Sequence, residues 1–200
     1  MTPTVKYSAR ESRRLQTRQR ILGAAIAEFK RSGMAAADVA AVVAAAGVAH
    51  GTFYFHFPTK EHVLLELESR EETRVAAEFG KFIEHNHDLA TTLAEVTRLV
   101  LGLEQILGRQ LFKELLALHF SPSRPKSDEW TDHPVIVLLV AEIERVRGDG
   151  EVHPEVDAFY SATFFLLGIY GVLTTTDNPD TRDTMLAKLV ASAVRGLEVR

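Results

Sequence analysis

Apolar positions in this chain recur every three or four residues almost from end to end, and over no useful length do they alternate. A first helix is predicted from about residue 13 to 31, where Leu15, Leu22, Ala25, Ile26 and Phe29 share one face and Gly33 ends the run. A second is predicted over 38–46, with Val39, Val42, Val43 and Ala46 spaced i, i+3, i+4, i+7 behind Asp38, an acidic residue suited to a helix start. Gly47 makes the turn, because a left-handed conformation is cheap only for glycine. A short third helix follows over 49–56 and stops before Pro58. A fourth opens at Thr59 and runs through Val63, Leu64, Leu67, Arg70 and Val75 to about residue 84, a rod of roughly 38 Å at 1.5 Å per residue. Further helical patterns cover 89–107 and 109–120. The turn-rich stretch 121–128 interrupts them. The pattern then resumes over 133–147, closed by Gly148-Asp149-Gly150, and over 154–175, with Pro154 at its start. The last helix spans 179–197, with Asn178 placed to cap it and Pro179 at its first position. The fold class is all-α, with about nine helices: a small N-terminal three-helix unit followed by a larger helical domain.

Three short helices in a row, with a glycine in the second turn, have the layout of a helix-turn-helix reader of the DNA major groove. The third helix needs an apolar inner face, and Val48, Phe53 and Phe57 supply it. His50, Thr52, Tyr54 and His56 point elsewhere, and Gly51 permits close backbone approach. Charge changes the picture in the same direction. The net charge of −4 does not suggest a nucleic-acid binder, but its distribution does. Residues 1–31 hold eight Lys and Arg (Lys6, Arg10, Arg13, Arg14, Arg18, Arg20, Lys30 and Arg31) against Glu11 and Glu28, a net of +6 that leaves −10 on the rest. A basic end on an acidic body is the asymmetry expected where one end meets phosphate.

The run Gly47-Val48-Ala49-His50-Gly51-Thr52-Phe53-Tyr54-Phe55-His56-Phe57-Pro58-Thr59-Lys60 resembles the fingerprint of the TetR family of transcriptional regulators. That fingerprint reads Gly-Val-Ser-x-Gly-Thr, an aromatic or aliphatic residue, Tyr-x, His or Tyr, then Phe-x-x-Lys, and the likeness covers residues 15 to 64. The resemblance implies that Thr52, Tyr54, His56 and Lys60 contact the phosphate backbone and that His50 reaches bases. The expected DNA-facing set, resemblance and the basic N-terminal segment taken together, is Arg13, Arg14, Arg18, Asp38, Ala49, His50, Thr52, Phe53, Tyr54, His56 and Lys60, with Phe53 included although its period puts it on the inner face. Two departures thin the set of phosphate donors. Ala37 and Asp38 stand where the family has Thr or Ser, and Asp repels phosphate. Ala49 replaces a serine whose cap is worth about 1 kcal/mol. The reader is therefore expected to lean on Arg10, Arg13, Arg14 and Arg18.

The family pattern divides the chain into a basic arm (1–12), a helix-turn-helix domain (13–60, motif about 37–56) and a ligand-binding and dimerisation domain (61–200). Close likeness ends after residue 85. The resemblance implies a cavity among the fourth to eighth helices, and an apolar lining with a few polar groups is what small-molecule pockets look like. The candidate walls are Phe79, Phe82, Leu103, Leu107, Phe112, Leu116, Phe120 and Phe164, with Glu104 and His119 as polar handles. Plain core is the competing reading of such an aromatic stripe. The last two helices should form the dimer face through Phe159, Thr163, Leu167, Tyr170, Leu186, Leu189, Val190 and Ala193, aided by Gly168 and Gly171.

The expected protein is a homodimeric, ligand-responsive regulator, read as a repressor. It would hold two recognition helices against a palindromic double-stranded operator until a small, largely apolar effector favours another conformer. The rival is a helical protein-interaction module without sequence-specific DNA binding, for which Ala37, Asp38 and Ala49 argue. An enzyme is not expected, because nucleophile-elbow, phosphate-loop and dinucleotide motifs and cysteine nucleophiles are all absent. No cofactor is called for. The eight histidines lack zinc-site spacing. With no cysteine, no long unbroken apolar stretch and no secretory signal pattern, a cytoplasmic setting away from the membrane is expected.

Overall fold

A computed structural model describes residues 8–121 and 133–199. The expected loop at 122–128 lies outside them. Nine helices account for most of the described residues: α1 (Ala9–Ser32), α2 (Val39–Ala46), α3 (His50–His56), α4 (Lys60–Ile83), α5 (Leu89–Leu107), α6 (Arg109–His119), α7 (Pro134–Gly148), α8 (Ala158–Thr175) and α9 (Pro179–Leu197). The one extended pairing among them is an isolated antiparallel bridge between Val152 and Glu198.

The caps explain where the helices begin. α2 starts behind Asp38, whose Oδ1 accepts the Ala40 N–H at 2.8 Å, and α9 starts behind Asn178, whose Oδ1 accepts the Thr181 N–H at 2.9 Å. α3 has no side-chain cap, as its alanine predicts. Two starts differ from expectation. α1 begins at Ala9 rather than near Arg13, because Ser8 and Glu11 form a reciprocal capping box: the Glu11 N–H donates to Ser8 Oγ and the Ser8 N–H to Glu11 Oε2. α8 begins at Ala158 rather than at Pro154, because Asp157 caps it by accepting the Tyr160 N–H at 3.0 Å. Pro154 sits in the preceding turn.

Two compact units emerge. The first comprises the described residues up to Glu68 together with Leu107–His119. Its core joins Ile21, Leu22, Ala25 and Phe29 of α1 to Val42, Val43 and Ala46 of α2 and to Phe53 and Phe57 of the α3 region. Val63, Leu64 and Leu67 of α4 complete it, with Leu111, Phe112, Leu115 and Leu116 of α6. The inclusion of α6 was not expected. Glu114 accepts the Met34 N–H at 2.9 Å, just past the end of α1. Gly33, at φ 77°, lies so close to Gln110 and Glu114 that a Cβ there would collide with both side chains.

The second unit holds Ser69–Ile106 and the described residues from Phe120 onward. α8 packs against α7 and α9. Ala162, Phe165, Leu166, Ile169 and Leu173 are buried on its inner side. α8 is 18 residues long with mean hydropathy 1.4, enough in length and composition for a membrane span. Packing against α7 and α9 buries 39% of that window and leaves Tyr160, Phe164 and Leu167 exposed. Leu189 of α9 fits against Gly168 of α8, where any Cβ would meet its methyl groups at about 2.9 Å.

Candidate nucleic-acid interface

Helical phase sorts the residues of α3 into two faces. Phe53 is 1% exposed and His56 7%, while Phe55 is 70% and Tyr54 47% exposed. His50 and Gly51 are exposed with them. The outer face is therefore 50, 51, 54 and 55, spaced i, i+1, i+4, i+5, and it carries no charged side chain and no amide. The His50 and Tyr54 rings lie 5.4 Å apart, tilted against each other. Thr52 is half-buried beside them.

Four of the residues expected on DNA are placed or engaged within the unit itself. Phe53 belongs to the core, packed against Phe57 with ring centroids 6.2 Å apart. His56 is buried too. Burial, and then the charges of Arg18 and Arg14, hold its pKa below the ordinary histidine value. Arg18 is engaged within the unit. Its guanidinium donates to the His56 carbonyl and to Glu66 Oε2, the latter at 2.8 Å, and lies 4.2 Å from the Phe57 ring centroid. Lys60 is also engaged: its ammonium donates to the carbonyls of Ala35 at 2.9 Å and Ala37 at 3.2 Å, tying the start of α4 to the loop before α2. Arg18 and Lys60 thus make their contacts within the unit, and His56 lies in its core.

Three outward cations lie on the first turns of α1. Arg10, Arg13 and Arg14 are exposed, and the Arg14 guanidinium lies 5.7 Å from the centroid of the Phe55 ring. A groove of about 340 Å³ runs beside them, lined by Glu11, Arg14, Leu15 and Arg18. Asp38 and Ala49 are exposed at the starts of α2 and α3, where their parts are a cap and a missing cap. Sequence reasoning missed Phe55, although its helical phase with His50, Gly51 and Tyr54 was available.

The candidate effector residues are divided between the two units. Leu107, Phe112, Leu116 and His119 belong to the first unit, and His119 pairs there with Glu68. Phe79, Phe82, Leu103, Glu104, Phe120 and Phe164 belong to the second. Phe120 and Phe164 are 53% and 65% exposed. Phe79 and Glu104 are buried, and Phe82 and Leu103 half-buried. Glu104 Oε2 accepts from Arg182 Nη1 at 2.9 Å, whereas Glu104 Oε1, Arg182 Nε and the neighbouring helix's Thr163 Oγ1 are buried without hydrogen-bond partners. His133 and His87 face single carboxylates, Glu72 at 3.2 Å and Glu142 at 2.7 Å.

The dimer candidates divide similarly. Leu186 is buried within its own unit, and Leu189 is occupied by Gly168. Phe159, Thr163, Tyr170, Val190 and Ala193 are half-buried. Tyr170 lies edge-on to Phe120, with ring centroids 6.3 Å apart. Leu167 is 42% exposed and shares an outward stripe of α8 with Tyr160 and Phe164, whose rings stack at 6.0 Å.

Residues 21–67, which span the α2–α3 pair, match the family model described as bacterial regulatory proteins, tetR family. The chain is 26% identical over 184 residues to the HTH-type transcriptional regulator UidR of Escherichia coli (strain K12), covering 90% of this chain and 92% of that protein. Its fold is similar to that of Thermus thermophilus FadR, a transcriptional repressor solved with lauroyl-CoA (TM-score 0.68, 22% identity, 92% of this chain and 96% of that one). It is also similar to RolR solved with resorcinol (TM-score 0.70, 19% identity, 95% and 91% covered). The domain match and the near full-length relative point the same way: residues 21–67 form a domain of the tetR family of bacterial regulatory proteins, and the chain as a whole is similar to an HTH-type transcriptional regulator.

Proposed function

We propose that the chain is a ligand-responsive repressor that binds a palindromic operator as a homodimer in the cytoplasm. The observation that carries the DNA reading is the outer face of α3, with His50, Gly51, Tyr54 and Phe55 outward and Arg10, Arg13 and Arg14 on α1 beside it. His50 and Tyr54 meet base edges, with Thr52 and the exposed arginines on phosphate. The functional division into arm, reader and effector domain is kept, with α6 counted with the reader because it packs there. A mobility shift on the gene's own upstream DNA, titrated with salt, tests this. Specific binding whose affinity falls with a slope of about −0.9 per phosphate neutralised is expected. Binding equal for all sequences would refute operator recognition.

The dimer face is proposed on the α8 stripe of Tyr160, Phe164 and Leu167, which the fold leaves exposed. A second copy related by a two-fold axis would cover it and present two readers. The effector is proposed to bind within the second unit near Phe79, Phe82, Leu103 and Glu104. FadR holds an acyl thioester and RolR a phenol. The unpartnered atoms of Glu104, Arg182 and Thr163 favour a largely apolar effector with one polar end. Thermal-shift screening with medium-chain acyl compounds and phenols tests that reading. A hit whose stabilisation survives Arg182→Leu unchanged would move the polar end elsewhere.

A further inference from the structure

Phe55 is the least explained side chain in the reader. Its neighbours in the same aromatic run, Phe53 and Phe57, are 1% and 0% exposed, yet Phe55 stands 70% in solvent. The outer face it belongs to offers a base pair little hydrogen-bonding capacity: one imidazole, one phenol, a glycine and a phenyl ring. The amides and guanidinium forks that make bidentate base contacts are absent from it. The rim, by contrast, is cationic. Arg14 lies 5.7 Å from the Phe55 ring, and Arg10 and Arg13 are exposed on the same turns of α1. That rim complements phosphate and repels a second copy of itself, so the occupant of this apolar surface is duplex DNA. In the major groove the one apolar group that distinguishes bases is the 5-methyl of thymine.

We propose that Phe55 is a specificity-determining residue that recognises a thymine in each operator half-site by packing on its 5-methyl group. The inference rests on the operator-binding reading above and adds the class of base that α3 selects. Arg14 lies over the ring and His56 packs edge-on to it at 5.2 Å, and the ring is still 70% exposed and open to the groove. Recognition of this kind discriminates through contact area. Burying one methyl group is worth about a fourfold change in affinity.

The experiment uses the full chain. In vitro selection from a random duplex library identifies an operator, and each thymine in its half-sites is then replaced in turn by uracil, which lacks only the methyl group. One position per half-site should weaken wild-type binding about fourfold, and roughly fifteenfold when both halves are changed, if the two contacts are independent. Phe55→Ser should bind the thymine and uracil operators equally and melt at the wild-type temperature, because the side chain is mostly in solvent. Wild-type indifference to uracil at every position would overturn the proposal. So would a Phe55→Ser protein that still prefers thymine at the same position, or one that weakens both operators equally, since that loss would mark a sugar or phosphate contact. Selection that enriches no sequence would bring down the operator-binding reading and this inference with it, whereas uracil indifference on an enriched operator removes the inference alone.

Discussion

Arg18→Ala separates the phosphate role expected from the basic N-terminal segment from the bracing role that the structure gives the same guanidinium. In the structure Arg18 supplies a hydrogen bond to the His56 carbonyl at the C-terminal end of α3, an ion pair to Glu66 at 2.8 Å and a ring contact to Phe57 at 4.2 Å. A charge-assisted bond to a carbonyl is worth about 1.5–3 kcal/mol. The ion pair has side chains 32% and 24% exposed, which keeps it near the solvent-screened range of about 0.2–1 kcal/mol. The contact with the ring adds about 0.5–1 kcal/mol. One guanidinium makes all three, so they do not add fully, and a loss of about 2–3 kcal/mol is expected. At about 2–4 °C per kcal/mol for a chain of this size, the melting temperature of the first unit should fall by roughly 5–10 °C. The assay is thermal unfolding followed by circular dichroism, paired with DNA affinity measured across a salt series on the variant well below its melting point. The salt slope should stay at its wild-type value, and in a double-mutant cycle Glu66→Gln should show coupling to Arg18. A variant with unchanged melting temperature and a slope reduced by about one unit would place Arg18 on phosphate and refute the bracing role.

Lys60→Ala should behave likewise. Loss of its bonds to Ala35 and Ala37 lowers stability by about 1–2 kcal/mol while leaving the salt slope intact, and a slope that drops would contradict this. Gly33→Ala should cost more than about 1 kcal/mol in urea unfolding, because a left-handed φ and collision with Gln110 and Glu114 act together; a neutral result would mean that the α1–α6 contact yields freely. His56 titrates below its ordinary value in the folded chain, so the unfolded chain binds its proton first as pH falls. Its contribution to stability is fully present above about pH 6.5 and is lost as pH falls below that toward the folded value. Melting curves from pH 8 to 5 should therefore decline more steeply for wild type than for His56→Gln, and parallel curves would remove His56 from the titration. Phe164→Glu should convert the protein to a monomer by light scattering with its melting behaviour nearly unchanged, since Phe164 is outward on α8; a dimer that persists would locate the interface elsewhere.

Helix number, caps and turns were legible in the sequence because their causes are local. Asp38 before an apolar stripe, Gly47 after it, and Asn178 followed by Pro179 each set a boundary within a few residues. The Ser8–Glu11 box and Asp157 were equally local and gave the true starts of α1 and α8, which the apolar period alone misplaced. The polar residues of the reader were harder. Arg18 and Lys60 are drawn inward by Glu66 and by two carbonyls in the α1–α2 loop, partners far from them in sequence, and His56 is buried at the end of α3. Resemblance names a residue type at a position, but packing decides which way it faces. Phe55 lies between these cases: its exposure follows from helical phase, and its importance emerges only once the neighbouring donors are seen to be occupied. The effector candidates could not be divided between two units from periodicity, since α6 carries the same kind of apolar face whichever unit it joins.

The placement of α6 bears on how such regulators can be recombined. A chimera joining one protein's reader to another's sensor would, on sequence boundaries, be cut near residue 60. Here that cut strips Leu111, Phe112, Leu115 and Leu116 from the reader's core and leaves the Met34 amide without Glu114. Gly33 would then face a foreign helix with no tolerance for a side chain that reaches further than its own. A graft that keeps its fold must carry two separated pieces of the chain, through Glu68 and from Leu107 to His119, so exchange between relatives is governed by a discontinuous seam that a single crossover does not respect.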